Sequence, residues 1–168
     1  MKRLEIFAAI ISVALAAAGC TKDGPDLFKG NWSFKTSGTV VLTPSGSSAG
    51  TETMTASIVT ESGQMDIITA DKDLGDMVIT MNAVLGDAVV MNAVAKGDSL
   101  TVDRFSRRVR LQVGMDTVDA DVNVSGGARR YDDTIIFDLE YAGMCTYNGN
   151  GYVIGGSDIR CVAKLNDY

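Results

Sequence analysis

The sequence contains no histidine, only two prolines and only three cysteines among its 168 residues. Without histidine the chain lacks the usual general base, and Ser-His or Cys-His nucleophilic pairs are excluded. A zinc site is disfavoured too, because imidazole is absent and thiols are few. The scarcity of proline suits long paired strands, whose backbone donors proline would remove. We therefore expect no cofactor and no metal.

The chain also lacks an apolar run of the roughly 20 residues that a membrane-spanning helix needs. Its start instead has the three parts of a secretory signal: Lys2 and Arg3, an apolar segment over residues 4–15, and small residues up to Cys20. We predict that residues 1–19 are a lipoprotein signal peptide and that Cys20 becomes the acylated first residue. An ordinary cleaved signal followed by an unrelated cysteine is the alternative.

Basic residues are in the minority once the signal is removed. Lys2, Arg3 and Glu5 lie in the signal, which leaves 13 basic and 20 acidic residues. An acidic domain lacks the basic footprint that nucleic acid or anionic lipid would need, so the expected partner is a membrane, reached through Cys20 alone. The expected location is the cell envelope, anchored to the outer membrane, with exposure at the cell surface left open.

The two cysteines beyond the anchor form an even pair in a compartment that permits disulfides. Cys145 and Cys161 are separated by 15 residues, and closing that loop would stabilise the fold by about 3 kcal/mol. We predict a disulfide between them. Two buried free thiols are the alternative.

Alternation of apolar and polar residues at period two is the main structural signal after residue 28, and it predicts half-buried strands. Residues 81–84 (Met-Asn-Ala-Val) recur at 91–94, which indicates neighbouring antiparallel strands. Turns are expected at Ser62-Gly63 and Gly126-Gly127. The prediction is all-β: an antiparallel up-and-down β-barrel of about 8–10 strands, with a two-sheet β-sandwich as the alternative. Residues 20–27 are assigned to a lipidated tether and residues 28–168 to a single domain.

The opening Gly30-Asn31-Trp32 resembles the Gly-x-Trp start of lipocalins and other calycins. The wider pattern, including residues 73–76 and 97–102, is similar to calycin-like β-barrel lipoproteins of Bacteroidota-type bacteria. The resemblance implies a barrel that binds a small apolar ligand in its mouth. It also implies an arginine packed across the tryptophan, for which Arg160 on the last strand is the candidate.

Apolar side chains that share the inward parity are the candidate ligand-binding residues: Trp32, Phe34, Met77, Met81 and Met91. Methionine adapts to irregular apolar shapes, so it suits a ligand cavity, although it also fills ordinary cores. The predicted function is a lipid-anchored, non-enzymatic protein that binds a small apolar or amphipathic ligand inside a calycin-like barrel. The alternative is a structural or protein-interaction subunit of a surface complex.

Three charged groups could carry other chemistry, and each has a simpler explanation. Carboxylates that could form a catalytic pair alternate with apolar residues, as on a solvated strand face: Asp116, Asp119, Asp121, Asp138 and Glu140. Residues 71–76 resemble a fragment of a calcium loop but also suit a turn. An arginine cluster could grip an anion or protect a strand edge: Arg104, Arg107, Arg108 and Arg110.

Overall fold

The computed structural model describes residues 24–46 and 52–166, which form one antiparallel sheet and one short helix. The predicted signal peptide and Cys20 lie outside the described residues. The elements are α1 (Pro25–Phe28), β1 (Gly30–Pro44), β2 (Met54–Ile58), β3 (Glu61–Asp71), β4 (Asp76–Ala83), β5 (Val89–Lys96), β6 (Ser99–Val113), β7 (Asp116–Tyr131), β8 (Thr134–Tyr147) and β9 (Asn150–Leu165).

The strand pairings close into a ring, because β1 pairs with β9 along nearly its whole length. The opposite edge of β1 is shared between two strands. Its first half pairs with β3 and its second half with β2. Strand β6 is shared in the same way, with β5 at its start and β2 near its end.

The ring consequently has two unequal ends. One end is bounded by eight strands (β1 and β3 to β9), and the other by six (β1, β2 and β6 to β9). We call them the eight-strand end and the six-strand end. The prediction of an all-β, antiparallel fold of about 8–10 strands is confirmed, since nine strands form a single sheet.

Inward side chains fill the ring with apolar atoms, because successive residues of a strand point to opposite faces. The core combines residues from all nine strands, and Trp32, Ile67, Ile79 and Ala163 are fully buried. Polar residues hold most outward positions, with exposed apolar exceptions such as Ile68, Val90 and Met144. This alternation fixes the register, since a slip of one residue would turn every apolar side chain outward.

A short helix occupies part of the segment assigned to a tether. Pro25 at the start of α1 sets a helical backbone angle, and Phe28 is completely buried. The carbonyl oxygen of Phe28 accepts a hydrogen bond of 3.0 Å from Trp32 Nε1. Within the described residues, no helix is long and apolar enough to cross a membrane.

The two turns predicted at Ser62-Gly63 and Gly126-Gly127 are wrong. Ser62 and Gly63 lie within β3, and Gly126 and Gly127 lie within β7. These positions hold glycine because neighbouring backbones approach closely there, and the chain does not reverse. A Cβ atom at Gly126 would overlap the carbonyl oxygen of Asp138 on β8, and glycine alone avoids that overlap. The predicted pairing of the repeated segments is confirmed, because β4 and β5 are antiparallel neighbours.

Candidate functional site

A small polar cluster lies inside the ring, about midway between its ends. Glu61, at the start of β3, shares the inward parity of Met65 and Ile67. Its partner in the ladder is Thr36 on β1, whose other neighbour is Cys161 on β9. Glutamate, threonine and cysteine thus stand side by side on three adjacent strands. Their backbone register, rather than any loop, holds them together.

The positive member of this cluster is Arg107 on β6. An irregularity between Val102 and Phe105 shifts the β6 register, and beyond it Arg107 points inward. Arg107 Nη2 donates a 2.6 Å hydrogen bond to Glu61 Oε1, and the two side chains are only 12% and 16% exposed. This ion pair is largely removed from water, so losing either partner would leave a costly charge.

Two polar atoms of the cluster lack a hydrogen bond of standard geometry among the described residues: Arg107 Nε, and Thr36 Oγ1, whose side chain lies beside the Cys161 thiol. Thr36 is only 1% exposed, so water does not reach it freely. A buried donor or acceptor without a partner costs about 1–3 kcal/mol. The cluster therefore has unused hydrogen-bonding capacity in an otherwise apolar interior.

Two weak acids stay protonated at neutral pH: Cys161 of the cluster and Tyr141, a buried β8 residue near Arg107. Burial raises the pKa of the Tyr141 hydroxyl to about 12, although the neighbouring Arg107 acts in the opposite direction. Burial also raises the pKa of the Cys161 thiol to about 11, with Thr36 and Arg107 opposing it. A protonated thiol is a poor nucleophile and a poor metal ligand. Cys161 therefore serves as a small buried side chain.

The wall beside Arg107 is incomplete. β5 pairs with β6 only through Ala93–Lys96, and β2 pairs with β6 only at Leu111 and Gln112. Between those pairings, the same edge of β6 has no strand partner over residues 103–109 within the described chain. Half-buried Val89 and Phe105 pack against the core beside this unpaired stretch of the wall, which we call the wall gap.

The predicted ligand-binding side chains are all in the packed core. Trp32, Phe34, Met77, Met81 and Met91 are between 0% and 5% exposed. Met81 on β4 lies opposite Val89 on β5, next to the wall gap, and Met91 comes two residues after Val89 on β5. The other three lie deeper, toward the eight-strand end. The structure thus buries all five side chains in the core, with Met81 and Met91 nearest the gap.

The predicted disulfide is absent, and both cysteines are free and buried. Cys145 lies opposite Tyr152, whereas Cys161 lies opposite Phe137. At about 3.3 Å per strand residue, this register separates the two cysteines by roughly 25 Å along the strands. A disulfide needs Cα atoms within about 7 Å. The prediction that both cysteine side chains point inward is confirmed. Inward parity, however, does not tell where a residue lies along its strand.

The arginine cluster is divided by the sheet. Arg107 points inward, while Arg104, Arg108 and Arg110 are exposed on the outer face. Arg108 Nε donates to Asp121 Oδ1 at 3.1 Å, and Arg110 lies opposite Asp119 on β7. Arg108 and Arg110 therefore face carboxylates on β7, and the four arginines do not form one anion-binding patch.

The arginine over Trp32 is Arg130, whose guanidinium carbon lies 5.3 Å from the ring centroid. Arg160, the predicted candidate, is wrong, since its Nε donates to Asp138 on the outer face at 3.0 Å. Arg130 has the inward parity of Ala128 near the end of β7. Together with Phe28 it covers the tryptophan at the eight-strand end.

The acidic candidates remain on the surface. The carboxylates of β7 and β8 are exposed: Asp116, Asp119, Asp121, Asp138 and Glu140. Asp71 Oδ1 accepts hydrogen bonds from the backbone N–H groups of Asp73 and Leu74, as in an ordinary turn. Across the described ranges, no group of three or more acidic, cysteine or histidine residues could hold a metal ion.

Depressions in the wall lie mainly on its outer face. One of about 550 Å³ between β7 and β8 is bordered by Asp119, Asp121 and Met144. Another of about 320 Å³ is bordered by Arg129, Tyr131 and Asp138. Both are bordered mostly by exposed side chains, with a few buried neighbours such as Cys145 and Leu100. Of the three buried side-chain polar atoms that lack a partner among the described residues, two belong to the interior cluster, and the third is Thr69 Oγ1 on β3.

Comparison with known proteins gives no match: no family model matches the sequence, and no curated protein or solved structure matches it.

Proposed function

We propose that this protein is a lipid-anchored, non-enzymatic β-barrel of the calycin type, located in the cell envelope, that binds a small amphipathic molecule. The cluster of Glu61, Arg107 and Thr36 carries the proposal. Its buried polar atoms without partners favour a ligand that supplies hydrogen bonds. A calycin-like barrel is supported by the ring of nine strands and by Arg130 over Trp32.

The wall gap would be the binding place. The polar group of the ligand would accept a hydrogen bond from Arg107 Nε and exchange one with Thr36 Oγ1. Its apolar part would contact Val89 and Phe105, with Met81 and Met91 adapting behind them. Because Glu61 already balances the charge of Arg107, an uncharged polar group such as a carbonyl or hydroxyl fits better than a second carboxylate.

Extraction of small molecules from the purified, membrane-derived protein tests this assignment. Mass spectrometry of the extract should find a molecule that co-purifies with wild type and with Arg108→Met, whose side chain points outward. Arg107→Met should lose that molecule. The double variant Glu61→Gln/Arg107→Met, which buries no lone charge, guards against a loss that reflects misfolding. Equal retention in all variants would contradict the proposed site.

The anchor has its own experiment. Cys20→Ala should move the protein from the membrane fraction to the soluble fraction, because an acidic domain has no electrostatic hold on lipid. Retention of the variant in washed membranes would contradict anchoring at Cys20.

An interaction subunit is the second candidate, and the hairpin between β4 and β5 favours it. Val84, Leu85 and Val90 are 77%, 74% and 61% exposed. Exposed apolar groups of this kind often mark protein contacts. Leu85→Glu should abolish a cross-linked complex in intact cells if this function is correct. An unchanged cross-linking pattern would leave the hairpin without a partner role.

A further inference from the structure

The position of the first described residues fixes where the anchor would leave the domain. α1 packs at the eight-strand end, where Phe28 is fully buried and hydrogen-bonded to Trp32. Lys72 in the turn between β3 and β4 pairs with Asp26 of the helix at 2.8 Å. Gly24, the first described residue, therefore lies at the eight-strand end, close to this turn.

The linker to the anchor is short. Three residues lie between Cys20 and Gly24, so four Cα–Cα steps join them, and each step spans at most about 3.5 Å. The acylated residue would thus lie within about 14 Å of Gly24. The six-strand end lies much farther from Gly24. The 15 residues of β6, which joins the two ends, extend roughly 45 Å at about 3.3 Å each. If the strand is tilted by about 45°, the ends are about 30 Å apart.

An exposed apolar side chain lies in the turn between β3 and β4, at the eight-strand end. Leu74, in the same turn as Lys72, is 69% exposed. Nothing in the core of the domain requires a leucine there, because the side chain extends into solvent. The backbone N–H of Leu74 bonds to Asp71 Oδ1, which holds the turn in one conformation.

We propose that the eight-strand end faces the bilayer that holds the Cys20 acyl chains, with Leu74 in contact with the lipid. This orientation rests on the proposed anchoring at Cys20. It leaves the six-strand end, with fully exposed Met115 in the β6–β7 turn, pointing away from the membrane. The wall gap opens on the side between the two ends. Exposed carboxylates in the turns of the eight-strand end, such as Asp73, Asp98 and Asp132, favour uncharged over anionic headgroups.

Tryptophan substitutions at the two ends form a matched pair. Leu74→Trp and Met115→Trp each add one indole at an exposed turn, while the native Trp32 stays buried as a common background. The full-length precursor is expressed in a lipidating bacterium, purified and reconstituted into phosphatidylcholine vesicles. Lipids brominated along the acyl chain then quench indoles that enter the bilayer.

The expected result is loss of most of the added emission for Leu74→Trp and no loss for Met115→Trp. Quenching of Met115→Trp, or of neither variant, in protein that floats with the vesicles would overturn the orientation while leaving the anchor intact. Failure of the protein to float with the vesicles would overturn the anchoring itself, and the orientation with it.

Discussion

Breaking the interior ion pair is the perturbation with the largest expected effect on stability. In Glu61→Gln, Arg107 loses its balancing charge inside the ring. Breaking a buried ion pair costs about 3–5 kcal/mol. Because the Arg107 and Glu61 side chains are still 12% and 16% exposed, we expect a cost near the lower end of that range. A loss of about 3 kcal/mol lowers the melting temperature by roughly 6–12 °C for a domain of this size.

Thermal unfolding followed by circular dichroism and by Trp32 emission measures this loss. Arg107→Met should cost a similar amount. The double variant Glu61→Gln/Arg107→Met should cost less than the sum, by at least about 1 kcal/mol, because it leaves no lone charge.

The outer pair Arg108–Asp121 is the control. Its side chains are 65% and 76% exposed, so Asp121→Asn should cost no more than about 1 kcal/mol. Equal costs at the inner and outer pairs would refute the reasoning that places Glu61 and Arg107 in a buried cluster.

Three further predictions follow from named groups. Thiol titration without reductant should detect Cys145 and Cys161 only after unfolding; a persistent disulfide would contradict the strand register. Burial raises the pKa of Cys161 to about 11 in the folded protein, whereas the same thiol in the unfolded chain keeps its ordinary, lower pKa. The unfolded chain therefore loses this proton at lower pH than the folded protein, so the free energy of unfolding should fall as pH rises from about 9 to 11. Cys161→Ala should flatten that decline, and an unchanged slope would contradict it. Gly38→Ala should destabilise the domain by more than about 1 kcal/mol, since the new Cβ would overlap the Asp158 carbonyl oxygen, whereas Gly46→Ala, with open space around it, should be nearly neutral.

Period-two alternation was sufficient to predict the fold class, because inward parity is a local property of a strand. It placed Trp32, Met81 and Cys161 inside correctly. Position along the strand is not local, since it depends on which residues of neighbouring strands pair. The disulfide prediction failed for that reason: nothing in the spacing of Cys145 and Cys161 states that Tyr152 and Phe137 are their partners.

The interior cluster was missed because its members come from distant segments. Glu61 and Arg107 meet only when β3 and β6 are both part of the ring, and the β6 irregularity after Val102 alters the parity on which a sequence reading relies. One usable signal existed. Arg107 has the same period-two parity as Val109 and Leu111, which indicates that it points inward, whereas its neighbour Arg108 points outward.

Native mass spectrometry of the protein extracted from its own membrane tests the central claim most directly. The predicted mass is that of a chain starting at acylated Cys20 with a dissociable small-molecule adduct, which Arg108→Met keeps and Arg107→Met loses. A bare chain in wild type, or an adduct retained equally by both variants, would contradict a ligand held at Arg107.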